Sequence, residues 1–317
     1  MKLQSSEQNI LEINKLKAEK NAIILAHFYQ TGDIQDIADF VGDSLALSQK
    51  AASNSADIIL FAGVKFMAET AKILSPEKKV LLPDLNAGCS LADSCKAVDF
   101  EKFLKENPGR TVISYINTTA EIKALSDIIC TSSNAVQIVE SLPADEKIIF
   151  APDRNLGNYV LNKTGRDMII WNGTCHVHEE FSLEAILRLK KENPEAKIIV
   201  HPECELPVRM VADFIGSTSS LLQFIRKDSG NYYIVATEAG IIHQMKKENP
   251  EKTYIPAPPR DSTCGCSECN FMKLITIEKI LTCLKNEQPE IILDGEILIK
   301  AQKPIKRMME ISEKLGL

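Results

Sequence analysis

Two sets of polar residues recur in this chain at a fixed spacing, and both are types that do chemistry. The segments AIILAHFY and ADFVGDS, TVISYIN and SDIICTS, and KIIVHPE and ADFIGST align His27 with Tyr115 and His201, and Ser44 with Ser132 and Thr218. The two positions are 17 residues apart in every repeat, and the repeats recur every 86–88 residues. Tyr29, Asn117 and Glu203 follow the first position at i+2, which in a strand faces the same side as i. These small hydroxyls, each between a strand and a helix and expected in N-cap position, suit carboxylate or phosphate, because a helix N-terminus has free N–H groups. For any one of them plain helix capping is the simpler reading; three in register favour a site. Imidazole, phenol and carboxylate together are the acid/base inventory that carbonyl condensation and dehydration require.

A thiol adds to each repeat. Cys89 stands in LNAGCS, Cys175 in WNGTCH, and Cys269 closes CGCSEC, each in a loop after the fourth apolar run of its unit. Cys130 and Cys283 fall on apolar faces and read as core thiols. Cys95 lies at a helix start, and Cys204 follows the third polar edge. Cys264 and Cys266 share the loop of Cys269, where a zinc knot using Cys266-x-x-Cys269 and His176-x-His178 is the competing metal reading, although no second C-x-x-C exists. Three thiolates brought together from three units suit an iron–sulfur cluster. Three leave one iron of a cubane open to act as a Lewis acid. An electron carrier with an unseen fourth ligand has the same spacing but no use for matched polar edges. Cys269 is favoured over its loop neighbours because FMKLITIEKILTCL predicts a helix starting beside it, whose positive end would stabilise a thiolate.

The elements that position these residues repeat as well. NILEINKLKAEK, DFEKFLKENPG and SLEAILRLKKENPE have helical spacing and end at Asn or Asn-Pro. β-branched runs follow at about 22–27, 111–116 and 197–201. A second strand then ends at Gly42, Thr131 and Gly216, and DIILFAG, KIIFAPD and YYIVATE are the third strands. KVLLPD, MIIWNG and TYIPAP are the fourth. Alternating strands and helices predict an α/β fold of parallel sheets covered on both faces. The units are expected at 1–88, 89–174 and 175–285, with C-terminal helices over 286–317 packing back on the first. An open α/β sheet binds ligands at the carboxyl ends of its strands, so the three edges are expected to share one centre.

Composition narrows the class. The chain has 317 residues, 44% hydrophobic and 25% charged, with a net charge of −6, which is ordinary globular usage without the basic footprint of nucleic-acid binding. Its apolar runs are shorter than the ~20 residues that cross a bilayer, and the start has no signal-peptide core. Nine cysteines, odd in number and scattered, fit reduced thiols or a metal site in the cytoplasm.

At these residues the chain resembles the quinolinate synthase family of bacterial de novo NAD synthesis. The resemblance runs nearly end to end: AHFYQ, GDSLALS, NAGCSLAD, SYINT, CTSSNA, APDRNLG, WNGTCHVH, HPEC, GSTS and the Cys-rich loop before FMKL. It implies three α/β/α domains around a pseudo-threefold axis and one [4Fe–4S] cluster on Cys89, Cys175 and Cys269. It also implies condensation of iminoaspartate, supplied by an L-aspartate oxidase, with dihydroxyacetone phosphate to quinolinate, phosphate and water. The family's substrate contacts fall on His27, Ser44, Tyr115, Asn117, Ser132, His201, Glu203 and Thr218. Tyr29 matches a tyrosine linked to acid/base work, and His178 a further active-site histidine. Asn270 replaces a proline common in the family, Phe28 an asparagine, and Cys264-x-Cys266-x-x-Cys269 departs from two successive C-x-x-C steps. A cluster-dependent hydro-lyase of the aconitase kind and a non-catalytic iron–sulfur sensor are the alternatives, separated by a product assay and by absence of turnover.

Overall fold

The computed structural model describes residues 2–261 and 267–317. The apolar runs form three four-stranded sheets with one topology. The first holds β1 (Ala22–His27), β2 (Phe40–Gly42), β3 (Ile58–Ala62) and β4 (Lys79–Leu81). The second holds β5 (Thr111–Tyr115), β6 (Ile128–Cys130), β7 (Ile148–Ala151) and β8 (Met168–Ile170). The third holds β9 (Lys197–Val200), β10 (Phe214–Ile215), β11 (Tyr232–Ala236) and β12 (Thr253–Pro256). All neighbours are parallel, and the orders are β2-β1-β3-β4, β6-β5-β7-β8 and β10-β9-β11-β12. Helices flank each sheet, so the fold is the expected α/β class. In this order the chain leaves the first strand on one side and returns on the other. The switch point, where such sheets bind ligands, is therefore the carboxyl end of β1, β5 and β9.

Register explains the 17-residue interval. Leu25 pairs with Phe40, Ile113 with Ile128 and Ile199 with Phe214, so the second strand of each unit is threaded at the same offset from the first. His27 then lies opposite Gly42 and Tyr115 opposite Cys130, and the hydroxyl residue comes two positions after the strand partner. The helices before the first strands are Lys2–Glu19, Ala97–Glu106 and Leu183–Glu192. The latter two stop at Asn107 and Asn193, whose N–H groups bond back to Leu104 and Leu189 carbonyls.

Alternation divides the third unit's core. Ile198, Val200, Ile234 and Ala236 pack on one face of the sheet, and Ile199, Tyr233 and Val235 on the other, as strands buried on both faces must. Phe28, just past β1, lies in that second layer with Leu221 and Ile242 and so keys the first unit into the third. The first and second units share one continuous core.

The C-terminal segment packs differently from expectation. Helix Ile277–Asn286, read with the third unit, packs on Lys2–Glu19 and β3 of the first. Ile291 N–H bonds to Val80 O at 2.8 Å, extending the edge of β4. Helix Gly295–Lys314 packs mainly on Ala120–Ala124 and β6 of the second unit and on Lys65–Leu74 of the first, bridging two units rather than closing on one. Asn134 Nδ2 donates to Ser312 Oγ at 2.9 Å in that contact. No helix among the described residues is long and apolar enough to cross a membrane.

Candidate active site

One cavity collects every site residue read from the sequence: His27, Tyr29, Ser44, Tyr115, Asn117, Ser132, His178, His201, Glu203 and Thr218, with Cys89, Cys175 and Cys269. The three strand ends thus open on one centre. The hydroxyls are delivered in two ways. Asp43 and Ser217 are the N-caps, accepting from Ala46 N at 3.0 Å and Ser220 N at 3.2 Å, and Ser44 and Thr218 are the first helical residues. In the second unit the helix starts only at Ala135, and Asn134 Oδ1 instead accepts from Thr131 N at 2.6 Å. The expectation that all three hydroxyl residues are N-caps is corrected accordingly.

Glu203 is the electrostatic centre. Its Oε1 accepts from Tyr115 Oη at 2.5 Å, its Oε2 lies 3.2 Å from His178 Nδ1, and His201 Nδ1 stands 3.6 Å away. Burial opposes its ionisation, but His178, His201 and the bond from Tyr115 outweigh that and hold its carboxyl at about 2. Burial lowers His27 to about 4 and His201 to about 3, so both are neutral near pH 7. Their tautomers follow from the backbone. His27 Nδ1 accepts from Tyr29 N at 3.2 Å and His201 Nδ1 from Glu203 N at 3.4 Å, which leaves each hydrogen on Nε2. His201 Nε2 lies 3.2 Å from Ser132 Oγ. Burial, reinforced by Glu203, raises Tyr29 and Tyr115 well above the usual phenol value, so both are hydrogen-bond donors. The buried Asn117 Oδ1 has no protein partner, an acceptor free for ligand.

Thr237, which the sequence reading missed, links the acid/base groups. Its Oγ1 lies 2.8 Å from Tyr29 Oη and 3.0 Å from His178 Nε2, and Tyr29 Oη is 3.2 Å from Thr218 Oγ1.

The three cysteine loops are held by one repeated main-chain bond. Lys65 N donates to Ala87 O at 2.7 Å, Arg154 N to Gly173 O at 2.7 Å and Ala239 N to Ser267 O at 3.2 Å. The donor is always the third residue after the third strand, and the acceptor always lies two residues before the cysteine. The loops also touch one another: Ser90 Oγ lies 2.7 Å from His176 Nδ1, and the His176 ring meets Phe271 edge-on at 6.0 Å. Three thiols at equivalent places of three repeats are therefore a property of the fold.

A family model for the quinolinate synthetase A protein matches residues 11–310. The chain belongs to the quinolinate synthase family. It is 60% identical over 300 residues to a quinolinate synthase of Microcystis aeruginosa, covering 95% of this chain and 94% of that protein. It is 61% identical over 300 residues to that of Rippkaea orientalis, covering 95% and 92%, and 58% identical over 303 residues to that of Thermosynechococcus vestitus, covering 96% and 95%.

The donor set fits the cluster that the quinolinate synthase resemblance implies. Cys89, Cys175 and Cys269 are free, partly buried thiols lining the same cavity. Burial pushes Cys89 up to about 12 and also raises Cys175 and Cys269, and neighbouring thiols add to this in Cys89 and Cys175. Such a group holds thiolates only around a strongly positive centre. Cys175, His178 and Glu203 present ligand atoms within 4.8 Å of one another, so the metal side of the cavity continues into the acid/base side. His176, half of the zinc reading, is engaged by Ser90, and Cys264 and Cys266 lie outside the described residues.

The helix expected to begin beside Cys269 does not. A single 3₁₀ turn, Met272–Leu274, is followed by extended Ile275 and Thr276, and Thr276 caps the α-helix Ile277–Asn286. Cys269 is fixed instead by Glu238, fully buried, whose Oε1 accepts from Cys269 N at 3.1 Å while its Oε2 accepts from Gly240 N at 2.7 Å. Lys273 pairs with Glu238 Oε1 at 2.9 Å and donates to Tyr29 O at 2.8 Å. Burial raises the Glu238 carboxyl against the pull of Lys273. The sequence held one clue: Asp153 and Glu238 both stand two residues past the third strand in APD and ATE.

Proposed function

We propose that this protein condenses iminoaspartate with dihydroxyacetone phosphate, giving quinolinate, phosphate and water, with a [4Fe–4S] cluster on Cys89, Cys175 and Cys269. The observation that carries the proposal is the convergence of three thiols and three polar strand ends, one of each per repeat, on a single cavity. The matched family and its relatives, each called quinolinate synthase, support the same reading. An L-aspartate oxidase upstream would supply the imine.

The reaction makes one C–C and one C–N bond and expels phosphate and water, so it needs anion binding and several proton transfers without net redox change. The cluster, when bound, would supply a Lewis-acidic iron that polarises a substrate oxygen. Ser44, Ser132 and Thr218 would hold carboxylate or phosphate, and the Nε2 hydrogens of His27 and His201 would orient them. Glu203, ionised and in contact with Tyr115 and His178, is the base for removing a proton from carbon. Tyr29, protonated and wired through Thr237 to His178, can return a proton to a leaving oxygen. Asn117 would turn its free Oδ1 to an N–H or O–H of the substrate.

The test is an anaerobic assay of quinolinate from dihydroxyacetone phosphate and imine generated in situ by aspartate oxidase. Activity is expected to follow iron and sulfide content and to vanish in air. Full activity from protein devoid of iron and sulfide would overturn the reading.

A further inference from the structure

A chain of hydrogen bonds crosses all three units directly beside the hydroxyl residues of the cavity. Asp43 Oδ2 accepts from Ser133 Oγ at 2.7 Å, and Ser133 Oγ lies 2.8 Å from Ser217 Oγ, which in turn lies 2.9 Å from Ser220 Oγ. Ser133 Oγ is placed to donate to both neighbours, so its one hydrogen is shared between the Asp43 carboxylate, which can only accept, and Ser217 Oγ. The chain ends on Asp43 Oδ1, which takes Ala46 N–H at 3.0 Å. It thus runs from the start of helix Thr218–Lys227, through the turn of the second unit, to the start of helix Ser44–Ser53.

Capping accounts for one bond of Asp43 and one of Ser217, but not for the two that cross between units. Asp43 and Ser217 are 6% and 1% exposed and Ser133 is half-buried, so these bonds are partly shielded from water. Three of its four members are also sequence neighbours of a cavity hydroxyl: Asp43 of Ser44, Ser133 of Ser132, Ser217 of Thr218. A further observation concerns charge. Asp43 itself lines the cavity, where a free carboxylate would repel anionic substrates. With both oxygens bound to donors, its charge is turned toward the protein.

We infer that Asp43, Ser133 and Ser217 form an inter-unit latch that sets the spacing of Ser44, Ser132 and Thr218, and so tunes the affinity of the site for anions. These are positioning residues, and the inference rests on the anion-binding role proposed above. The test compares Ser133→Ala with Ser133→Thr in the intact, anaerobically purified protein. Removing the hydroxyl that makes both inter-unit contacts should weaken binding of inorganic phosphate, measured by calorimetry, about five- to tenfold. The KM of at least one anionic substrate should rise by a similar factor, with kcat within about twofold and iron content unchanged. Ser133→Thr, which keeps the hydroxyl, should restore wild-type values. Unchanged phosphate affinity and KM in Ser133→Ala would overturn the latch, as would a loss that merely parallels falling iron content or melting temperature. If the wild type makes no quinolinate, the proposed reaction fails, while the calorimetry still decides the latch.

Discussion

The first unit and the third hold their cysteine loops by the same main-chain bond but support it with opposite chemistry. Two residues past the third strand the first unit has Val64, 2% exposed and part of the core, and the third has Glu238, an ion-paired carboxylate that takes Cys269 N–H. Cys89 needs no such acceptor, since it opens a short helix, Ser90–Asp93, whose first residue is tied to His176. Cys269 is followed only by a 3₁₀ turn that starts at Met272. Where local secondary structure organises the loop, a hydrophobic residue suffices behind it. Where it does not, a buried charge takes over. The second unit combines both: Cys175 opens helix His176–Glu179, and Asp153 sits at the carboxylate position, capping Leu156 N at 2.6 Å.

The largest effect tests whether the three loops are equivalent at all. Cys89→Ser, Cys175→Ser and Cys269→Ser are each expected to abolish the cluster and nearly all activity, measured by iron content and the visible absorption band. Cys264→Ser and Cys266→Ser should retain both under reducing anaerobic conditions. A cluster-replete Cys269→Ser beside a cluster-free Cys266→Ser would break the equivalence.

A second comparison concerns the residue two before each cysteine: Ala87, Gly173 and Ser267. Only the second is glycine, and a Cβ there would lie 2.3 Å from Ser94 Oγ and 2.6 Å from Pro152 O. The backbone oxygen cannot yield, because Gly173 N bonds to it at 3.1 Å. Gly173→Ala is expected to push the Cys175 loop off its clamp, costing about 2–4 kcal/mol and most of the bound iron. Ala87→Gly, which only removes a methyl, should cost about 1 kcal/mol and keep the cluster. Equal loss in both variants would mean the glycine is incidental.

The contrast between Val64 and Glu238 also marks how far the sequence could be read. Strands, their order of appearance and the shared centre were legible, because β-branched runs and polar strand ends recur at fixed spacing. The thiols were legible because each closes the same loop. Glu238, Lys273, Thr237 and Asp43 were not, since their roles depend on partners 31 to 244 residues away, from Cys269 for Glu238 to Tyr29 for Lys273, and a single sequence shows no such pairing. The misplaced helix at Cys269 arose because Phe271, Leu274, Ile275 and Ile277 have helical spacing; in the structure Thr276 takes the cap and ends that run. The placement of helix Ile277–Asn286 on the first unit was hidden for a similar reason: its apolar face fits any core, and only the folded chain selects one.

Glu238→Gln sharpens the comparison with a smaller effect. The amide still accepts a hydrogen bond but leaves Lys273, whose side chain is 19% exposed, without its anion. A broken buried pair costs about 3–5 kcal/mol, and the partial exposure of Lys273 reduces this to roughly 2 kcal/mol. Iron should be lost to a chelator several-fold faster than from wild type. Val64→Ala, trimming a core side chain in the equivalent place, should lower stability by a similar amount without changing the rate of iron loss. Identical chelation kinetics in the two variants would remove the carboxylate's special role.

The smallest effect lies at the outer side of the first unit, which lacks a carboxylate behind its cysteine loop but has one on its sheet edge. Glu287 follows helix Ile277–Asn286 and bonds Lys20, at the end of the first helix, at 2.6 Å and also Lys79, at the start of β4. These two lysines hold its carboxyl at about 2, below the ordinary 4.5. A carboxyl with a lowered folded-state pKa contributes stability that is complete above about pH 4.5 and disappears as pH falls toward 2. The side chains are 23–37% exposed, so solvent screening keeps the contribution small. Glu287→Gln is expected to lower the melting temperature at pH 7 by only about 1–2 °C. The difference from wild type should shrink steadily below pH 4.5, because the wild-type carboxyl is then losing the same charge. Iron content should not change, since this pair fastens the C-terminal segment to the sheet edge and not the cysteine loop. A variant that melts with wild-type temperature at pH 7 would show that main-chain pairing at Val80 and Leu81 holds this edge by itself.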